Sequence, residues 1–409
     1  MSATTPTPFK IAIPQDALDA AQRKLAAATL PPPAPHGGDE WEYGVPRAEL
    51  EKLLAHWTSA YDWRTHEAAL NAELPQFTLP IDVANHGELT AHFVHQRAKR
   101  AGKAVPLLFV HGWPGHFAEV RKILPLLTNP DAETDLAFDV VAPSLPGFGF
   151  SSAPTKSGFA IDQYAEFCHK IMLALGYNEY VIQGGDWGFI ICHRLTHLYG
   201  PTHVKAWHTN LPAARQPTAA AWPRLYLAHL LTPYTEADKR GFARTQWFRE
   251  HGYGYYLEQS TKPQTLAYSL ADSPVGLLAW IYEKLVVWTD AYPWTPDEVL
   301  TWIHIYAFSH TQASSSAATS VRIYFEVARA NEHAKVADPA FYNARVPLGV
   351  SVFPQEIIVV PSTWHHTLGW LVYTGRHERG GHFAAYERPQ ELVDDIRKTF
   401  STPEVKARL

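Results

Sequence analysis

The stretch Val181-Ile182-Gln183-Gly184-Gly185-Asp186-Trp187-Gly188 constrains this chain more than any other. An apolar strand runs into a tight glycine turn, and a helical run over 189–198 follows at once. Glycines at 184 and 188 remove the Cβ atoms that would clash in so sharp a strand-to-helix turn. Such an elbow lifts its apex residue, here Asp186, above the C-terminal edge of a parallel sheet. A carboxylate at a helix N-terminus is favoured as the anion by the helix dipole and the free N–H groups, which suits a nucleophile that must stay ionised. The competing reading is a plain N-cap aspartate after a glycine loop, common in any α/β protein.

The rest of the chain supplies such a sheet. From about residue 89, apolar runs at 90–94, 107–110, 138–142, 180–182 and 204–208 alternate in their later part with helical segments, the rhythm of βαβ units in a mostly parallel sheet. Residues 13 to about 80 carry helical periodicity instead, with Leu18, Ala21 and Leu25, then Leu50, Leu53, Leu54 and Trp57, broken by Pro31-Pro32-Pro33 and a Pro/Gly loop. Residues 213 to about 340 form a helix-rich block crowded with Trp and Tyr, which reads as an inserted lid, and strand-like runs resume at 348–353 and 370–373. The expected division is an N-terminal helical segment over 1–88, a core over 89–212, the lid over 213–340 and the remaining core over 341–409. A chain of 409 residues that is 46% hydrophobic and 18% charged can bury a core of this size.

Charge and cysteine usage exclude several function classes. Lys+Arg 35 against Asp+Glu 40 leave a net charge of −5, too mild for a nucleic-acid or anionic-lipid surface. Cys168 and Cys192 fall in helical stretches and read as reduced structural thiols. No window approaches the ~18 apolar residues of a membrane span, and the N-terminus lacks a secretory apolar run, so a soluble, cytoplasmic protein is expected. Ala407-Arg408-Leu409 forms a small-basic-Leu ending related to the peroxisomal tripeptide, with a chance trio as the favoured alternative. The sequence leaves a homodimer open.

Two further patches bear on chemistry. Residues 107–110 run into His111-Gly112-Trp113-Pro114-Gly115, a strand ending in a turn whose X-Pro bond is a candidate for the cis form. Arg379-Gly380-Gly381-His382-Phe383 places a histidine on a glycine turn after the last strand-like run. His193 and His197 lie four apart on a helix as metal ligands can, but His193-Arg194-Leu195-Thr196-His197 lacks the zincin glutamate, so no metal is expected there.

In α/β-hydrolases, whose elbow this one resembles, the loop after the earlier strand gives one backbone N–H to an oxyanion hole and the residue after the nucleophile gives the other. The donors would be Trp113 and Trp187, and His382 stands where the base belongs in the order nucleophile, acid, histidine. Taken together, Gly184-Gly185-Asp186-Trp187-Gly188, His111-Gly112-Trp113-Pro114-Gly115, Asp272-Ser273-Pro274-Val275-Gly276-Leu277 and Gly380-Gly381-His382-Phe383-Ala384-Ala385-Tyr386-Glu387 resemble the microsomal-type epoxide hydrolases over nearly the whole chain. Phe189 departs from that pattern, where another small residue is usual, and the animal enzymes' membrane anchor is missing, so the resemblance is to their soluble microbial relatives. It implies an α/β-hydrolase fold, with a mostly parallel central sheet flanked by helices, a helical lid and an N-terminal helical extension. It also implies Glu356 as the triad acid; Asn210 holds an alternative acid position but cannot ionise, and Glu378 reads as a solvated loop charge. Finally, it points to two lid tyrosines that protonate the oxirane oxygen, Tyr255 and Tyr324, with Tyr253 and Tyr256 as rivals for the first.

The resulting expectation is a cofactor-independent epoxide hydrolase whose partners are a small-molecule epoxide and water. A haloalkane dehalogenase uses the same aspartyl ester, but the tyrosine pair and the N-terminal segment argue against it. A non-catalytic binder of an apolar ligand is the remaining alternative. The aromatic lid, poor in clustered Lys or Arg, implies a pocket that binds apolar epoxides by burial and stacking.

Overall fold

The computed structural model describes all residues except 1–4, 36–40, 100–103, 131, 133–134, 310–314 and 333–337; part of the Pro/Gly loop therefore lies outside the described residues. One nine-stranded sheet, in the order β1-β2-β3-β5-β4-β6-β7-β8-β9, organises the chain. Its strands are β1 (Thr7–Phe9), β2 (Gln76–Val83), β3 (Gly87–Gln96), β4 (Val105–Val110), β5 (Phe138–Pro143), β6 (Tyr180–Gly184), β7 (Val204–Thr209), β8 (Asn343–Val352) and β9 (Gly369–Arg376). The pairs β1/β2, β2/β3 and β3/β5 are antiparallel, and every pair from β5 to β9 is parallel.

The central strands are continuous apolar runs because helices cover both faces. Side chains alternate between faces along a strand, so Leu108 and Val110 join the core cluster that contains the helices Ile161–Ala174 and Trp187–Tyr199, while Leu107 and Phe109 join the cluster containing Leu392, Ile396 and Phe400 of the helix Pro389–Phe400. Cys168 and Cys192 lie buried and unpaired in the first of these layers. At the C-terminus the Arg408 guanidinium stacks over Trp370, and Leu409 packs against the second cluster.

The helical expectation for residues 13 to about 80 holds for Gln15–Ala26, Arg47–Ser59 and Trp63–Glu73, but not beyond. Residues 76–83 form β2 instead, fully paired with β3. Pro80 lies beyond the reach of β1, which pairs only with residues 76–78, so it occupies an edge, the setting in which a strand accepts proline. Between β7 and β8 runs the helix-rich block, from Pro223–Leu231 through Glu236–Trp247, Gly254–Thr261, Pro263–Asp272, Pro274–Val287 and Pro296–Phe308 to Arg322–Arg329. No helix among the described residues is long and apolar enough to cross a membrane.

Where β4 and β6 end, the backbone is packed to contact. A Cβ on Gly188 would lie 2.0 Å from the Val110 carbonyl oxygen, and one on Gly184 would lie 2.6 Å from the Gly188 oxygen. Gly254 has nothing within 4 Å of its Cβ position. Gly188→Ala should therefore cost at least about 3 kcal/mol, or block folding outright, because backbone cannot step aside as a side chain can. Gly254→Ala should stay within about 0.5 kcal/mol. Denaturant unfolding of the two variants checks this, and similar midpoints for both would contradict the packing argument.

Candidate active site

The turn after β6 places Asp186 at φ +51° and ψ −128°, a left-handed conformation unusual for a residue with a side chain, at the head of the helix Trp187–Tyr199. Held this way, its carboxyl meets the turn after β4. The Trp113 N–H donates to Asp186 Oδ1 at 2.7 Å, and the Trp187 N–H also reaches the carboxylate. Gly112 makes the approach feasible, since a Cβ there would lie 2.0 Å from Oδ1. The Trp113–Pro114 bond is cis. Burial raises the Asp186 pKa above the ordinary carboxylate range, opposed by the His382 charge and by these two N–H groups.

Two loops beyond β8 and β9 bring the remaining polar pair. His382 Nδ1–H donates to Glu356 Oε1 at 2.6 Å, while Nε2 faces Asp186 Oδ2 at 3.6 Å. Glu356 Oε1 also accepts the Ile357 N–H at 2.6 Å. The loops are fixed by backbone contacts: Gln355 N–H donates to the Gly380 oxygen, and His382 N–H to the Trp288 oxygen at 2.9 Å. Arg244, from the helix Glu236–Trp247, donates to the carbonyls of Val287, Gln355 and Glu356 and so ties the acid loop to the lid. Burial depresses the His382 pKa, but Glu356 and then Asp186 outweigh it and bring the value up to about 9, so the imidazole is cationic at neutral pH.

Asn210 instead props the histidine. It accepts from Gln183 at 2.8 Å, packs where a Gly185 Cβ would fall and donates to the His382 carbonyl at 3.4 Å. Glu378 is exposed. His193 lies edge-on to Trp207 and His197 against Phe341, and among the described residues no third metal-ligating side chain joins them.

Above Asp186 opens a cavity of about 660 Å³. The Tyr255 ring stacks on Trp113, with centroids 5.4 Å apart and planes at 12°, and Tyr324 stands edge-on to Trp187 at 4.7 Å and to Trp113 at 5.8 Å. Burial, reinforced by neighbouring groups that include Asp186, drives both phenol pKa values well up, so both hydroxyls keep their protons. Tyr253 and Tyr256 stack on each other at 4.6 Å in the cavity wall. Phe189 also lines the cavity, lying nearly parallel to Trp207, so the departure from a small residue narrows the pocket rather than the elbow. The lining is apolar in depth through Leu211, Phe248, Ile357 and Val360. Exposed Arg215, Gln216 and Arg249 form a polar rim around this largely apolar interior.

Removing the Glu356 charge removes one of the supports of the imidazolium. Glu356→Gln should therefore bring the His382 pKa below its value of about 9, as read from an NMR titration of the imidazole protons. An unchanged pKa would show that Asp186 alone sustains the cation.

Comparison with known proteins places this geometry in a family. The Epoxide hydrolase N terminus family matches residues 6–120, and the alpha/beta hydrolase fold family matches residues 105–273. Epoxide hydrolase 1 of Sus scrofa is 35% identical over 418 residues, covering 96% of this chain and 87% of that protein. The structure of Aspergillus niger epoxide hydrolase superposes with a TM-score of 0.83 at 33% identity, covering 100% of this chain and 97% of that one. The juvenile hormone epoxide hydrolase of the silkworm Bombyx mori gives 0.87 at 28% identity, covering 99% and 96%. Similar from end to end in both sequence and fold, the chain belongs to the epoxide hydrolase family and carries its α/β-hydrolase fold.

Proposed function

We propose that this epoxide hydrolase turns an apolar epoxide and water into a vicinal diol through an alkyl ester on Asp186. The observation that carries the mechanism is the asymmetric setting of that carboxylate. Oδ1 is held by the Trp113 N–H at 2.7 Å, whereas Oδ2 faces His382 at 3.6 Å, and the residue lines the large cavity. Oδ2 attacks an oxirane carbon, the C–O bond breaks, and Tyr255 or Tyr324 gives its proton to the departing oxygen while the other hydroxyl hydrogen-bonds it.

Ester formation removes the Asp186 charge, one of the causes that raise the His382 pKa. The imidazolium then returns its proton to the tyrosinate and becomes a base. Water gives a proton to His382 and attacks Cγ; negative charge builds on Oδ1, which the Trp113 N–H holds, with the Trp187 N–H also on the carboxyl. Collapse breaks the Cγ–Oδ2 bond, the new carboxyl proton passes to the diol oxygen, and Asp186 is again a carboxylate beside a cationic histidine. Glu356 orients and stabilises the imidazole throughout. The buried, unpaired thiols fit a reducing, cytoplasmic setting; the packing of Arg408 and Leu409 onto the body disfavours a peroxisomal address read from the last three residues.

Asp186→Asn should lack turnover, while His382→Gln should still form the ester and hold it, visible by mass spectrometry as enzyme plus one substrate. A His382→Gln protein that stays unmodified by a good substrate would sink the ester mechanism. Substrate preference offers a second check. A cavity of this size suits a drug-sized ligand, and each further buried methylene adds up to ~0.8 kcal/mol, or about fourfold in affinity. Bulky aryl or alkyl epoxides should exceed glycidol in kcat/KM, and a preference for glycidol or a charged epoxide would refute the apolar reading.

A further inference from the structure

Asp186 separates two spaces. On one side lies the large cavity beneath the tyrosines; on the other is a small space of about 20 Å³, bounded by Gly112, Glu119, Asp186, Asn210, His382 and Ala385 among others. Among the described residues, Asp186 alone lines both. A volume of this size accommodates one water, and a water there needs polar partners to be held. The histidine and the aspartate account for two of them. Of the other polar side chains that line it, His111 is bonded to Gly112 and Leu145 and Asn210 to Gln183 and the His382 carbonyl, which leaves Glu119, from the short turn Phe117–Arg121, a residue with no part in the scheme above.

Glu119 reaches this space because Gly115 leaves room for it: a Cβ on Gly115 would lie 1.7 Å from Glu119 Oε1. The backbone N–H of His116 steadies the carboxyl, and no side chain is paired with it among the described residues. The loop leading into that turn is fixed, since Trp302 Nε1–H donates to the Pro114 oxygen and the Tyr306 hydroxyl to the Gly115 oxygen, both at 2.6 Å.

We propose that Glu119 is the water-positioning residue of the second half-reaction, holding in the small cavity the water that His382 deprotonates. This rests on the ester mechanism proposed above. The water donates one hydrogen to His382 Nε2 and the other to the carbonyl oxygen of the Glu119 carboxyl, which leaves a lone pair directed at Cγ of Asp186. Glu119 neither gains nor loses a proton, so the stoichiometry of hydrolysis is unchanged. Burial supports the assignment: together with the Asp186 charge, and against that of His382, it raises the Glu119 pKa to about 8, which keeps the group an uncharged acid at neutral pH. An uncharged acid beside the nucleophile does not repel the carboxylate that must form and re-form there.

The test separates the two half-reactions in single turnovers with enzyme in excess over styrene oxide, following ester formation and decay by rapid quench and mass spectrometry. Glu119→Leu should form the ester within about twofold of the parent rate and release it at least about tenfold more slowly, since an unplaced nucleophile loses its geometric advantage. Glu119→Gln retains a carbonyl acceptor and should release diol within about threefold of the parent rate. Should Glu119→Leu fail to fold, Glu119→Asp withdraws the carboxyl by one methylene and should show the same selective slowing of decay. Equal slowing of both phases would mark a structural role, and undisturbed decay in Glu119→Leu would remove Glu119 from the reaction; either result overturns the proposal. His382→Gln runs alongside as a control. If it too gathers no ester, the aspartyl-ester mechanism falls and takes this assignment with it; if it gathers ester while Glu119→Leu turns over normally, only the role of Glu119 falls.

Discussion

Everything at this site depends on how closely two strand ends approach. The turns after β4 and β6 meet with so little space that Gly112 and Gly188 can carry no side chain, and only then does the Trp113 N–H come within 2.7 Å of Asp186. The left-handed backbone at Asp186 is the local cost of this arrangement, of order 1–3 kcal/mol for a residue with a side chain. A parallel sheet buried on both faces can hold such strain, because β4 and β6 are paired over residues 107–110 and 181–184 and cannot drift apart. In the proposed mechanism neither N–H then has to move as charge develops on the Asp186 carboxyl, the condition under which a buried donor stabilises an oxyanion most.

Electrostatic balance is the second constraint. Asp186, Glu356 and Glu119 crowd one imidazole in a space from which water is largely excluded, and three anions there would repel one another strongly. The protein resolves this by making the histidine a cation and keeping Glu119 protonated by burial. Under the proposed mechanism this resting state suits the first half-reaction, because both tyrosine hydroxyls keep their protons. Under the same proposal alkylation resets the site, because converting Asp186 to an ester withdraws part of the field that holds the proton on His382. In this account the order of the two steps follows from charge alone and requires no conformational switch.

The sequence made the elbow, the tryptophan turn and the histidine legible for one reason: each sits on a turn whose glycines leave a local signature. Strands β4 to β7 were equally readable, because burial on both faces writes them as unbroken apolar runs. Strand β2 was not, since Thr78, Pro80 and Asp82 alternate with buried residues at the margin of the sheet and interrupt any run. Glu356 could be named only through family resemblance; nothing around residues 353–356 distinguishes an acid that will meet a histidine 26 positions later. Glu119 and Arg244 left no signal at all. Their environments are assembled from segments far apart in the chain, and a lone Glu or Arg on a helical turn looks like any solvated charge.

The N-terminal segment gains a physical reason from these contacts. His304, buried in the helix Pro296–Phe308, stacks on Trp63 and lies against Trp57 and Tyr61, while Tyr61 bonds Thr301 and His56 bonds Asp297 on the same helix. Burial depresses the His304 pKa to about 3, so this packing stays uncharged across the physiological range. The opposite side of that helix donates, through Trp302 and Tyr306, to the two carbonyls of the turn that follows Trp113. The N-terminal helices therefore do more than cover apolar surface. They pack against a helix that in turn bonds the loop carrying Trp113, so the 2.7 Å contact at Asp186 is braced from outside the sheet as well as from within it.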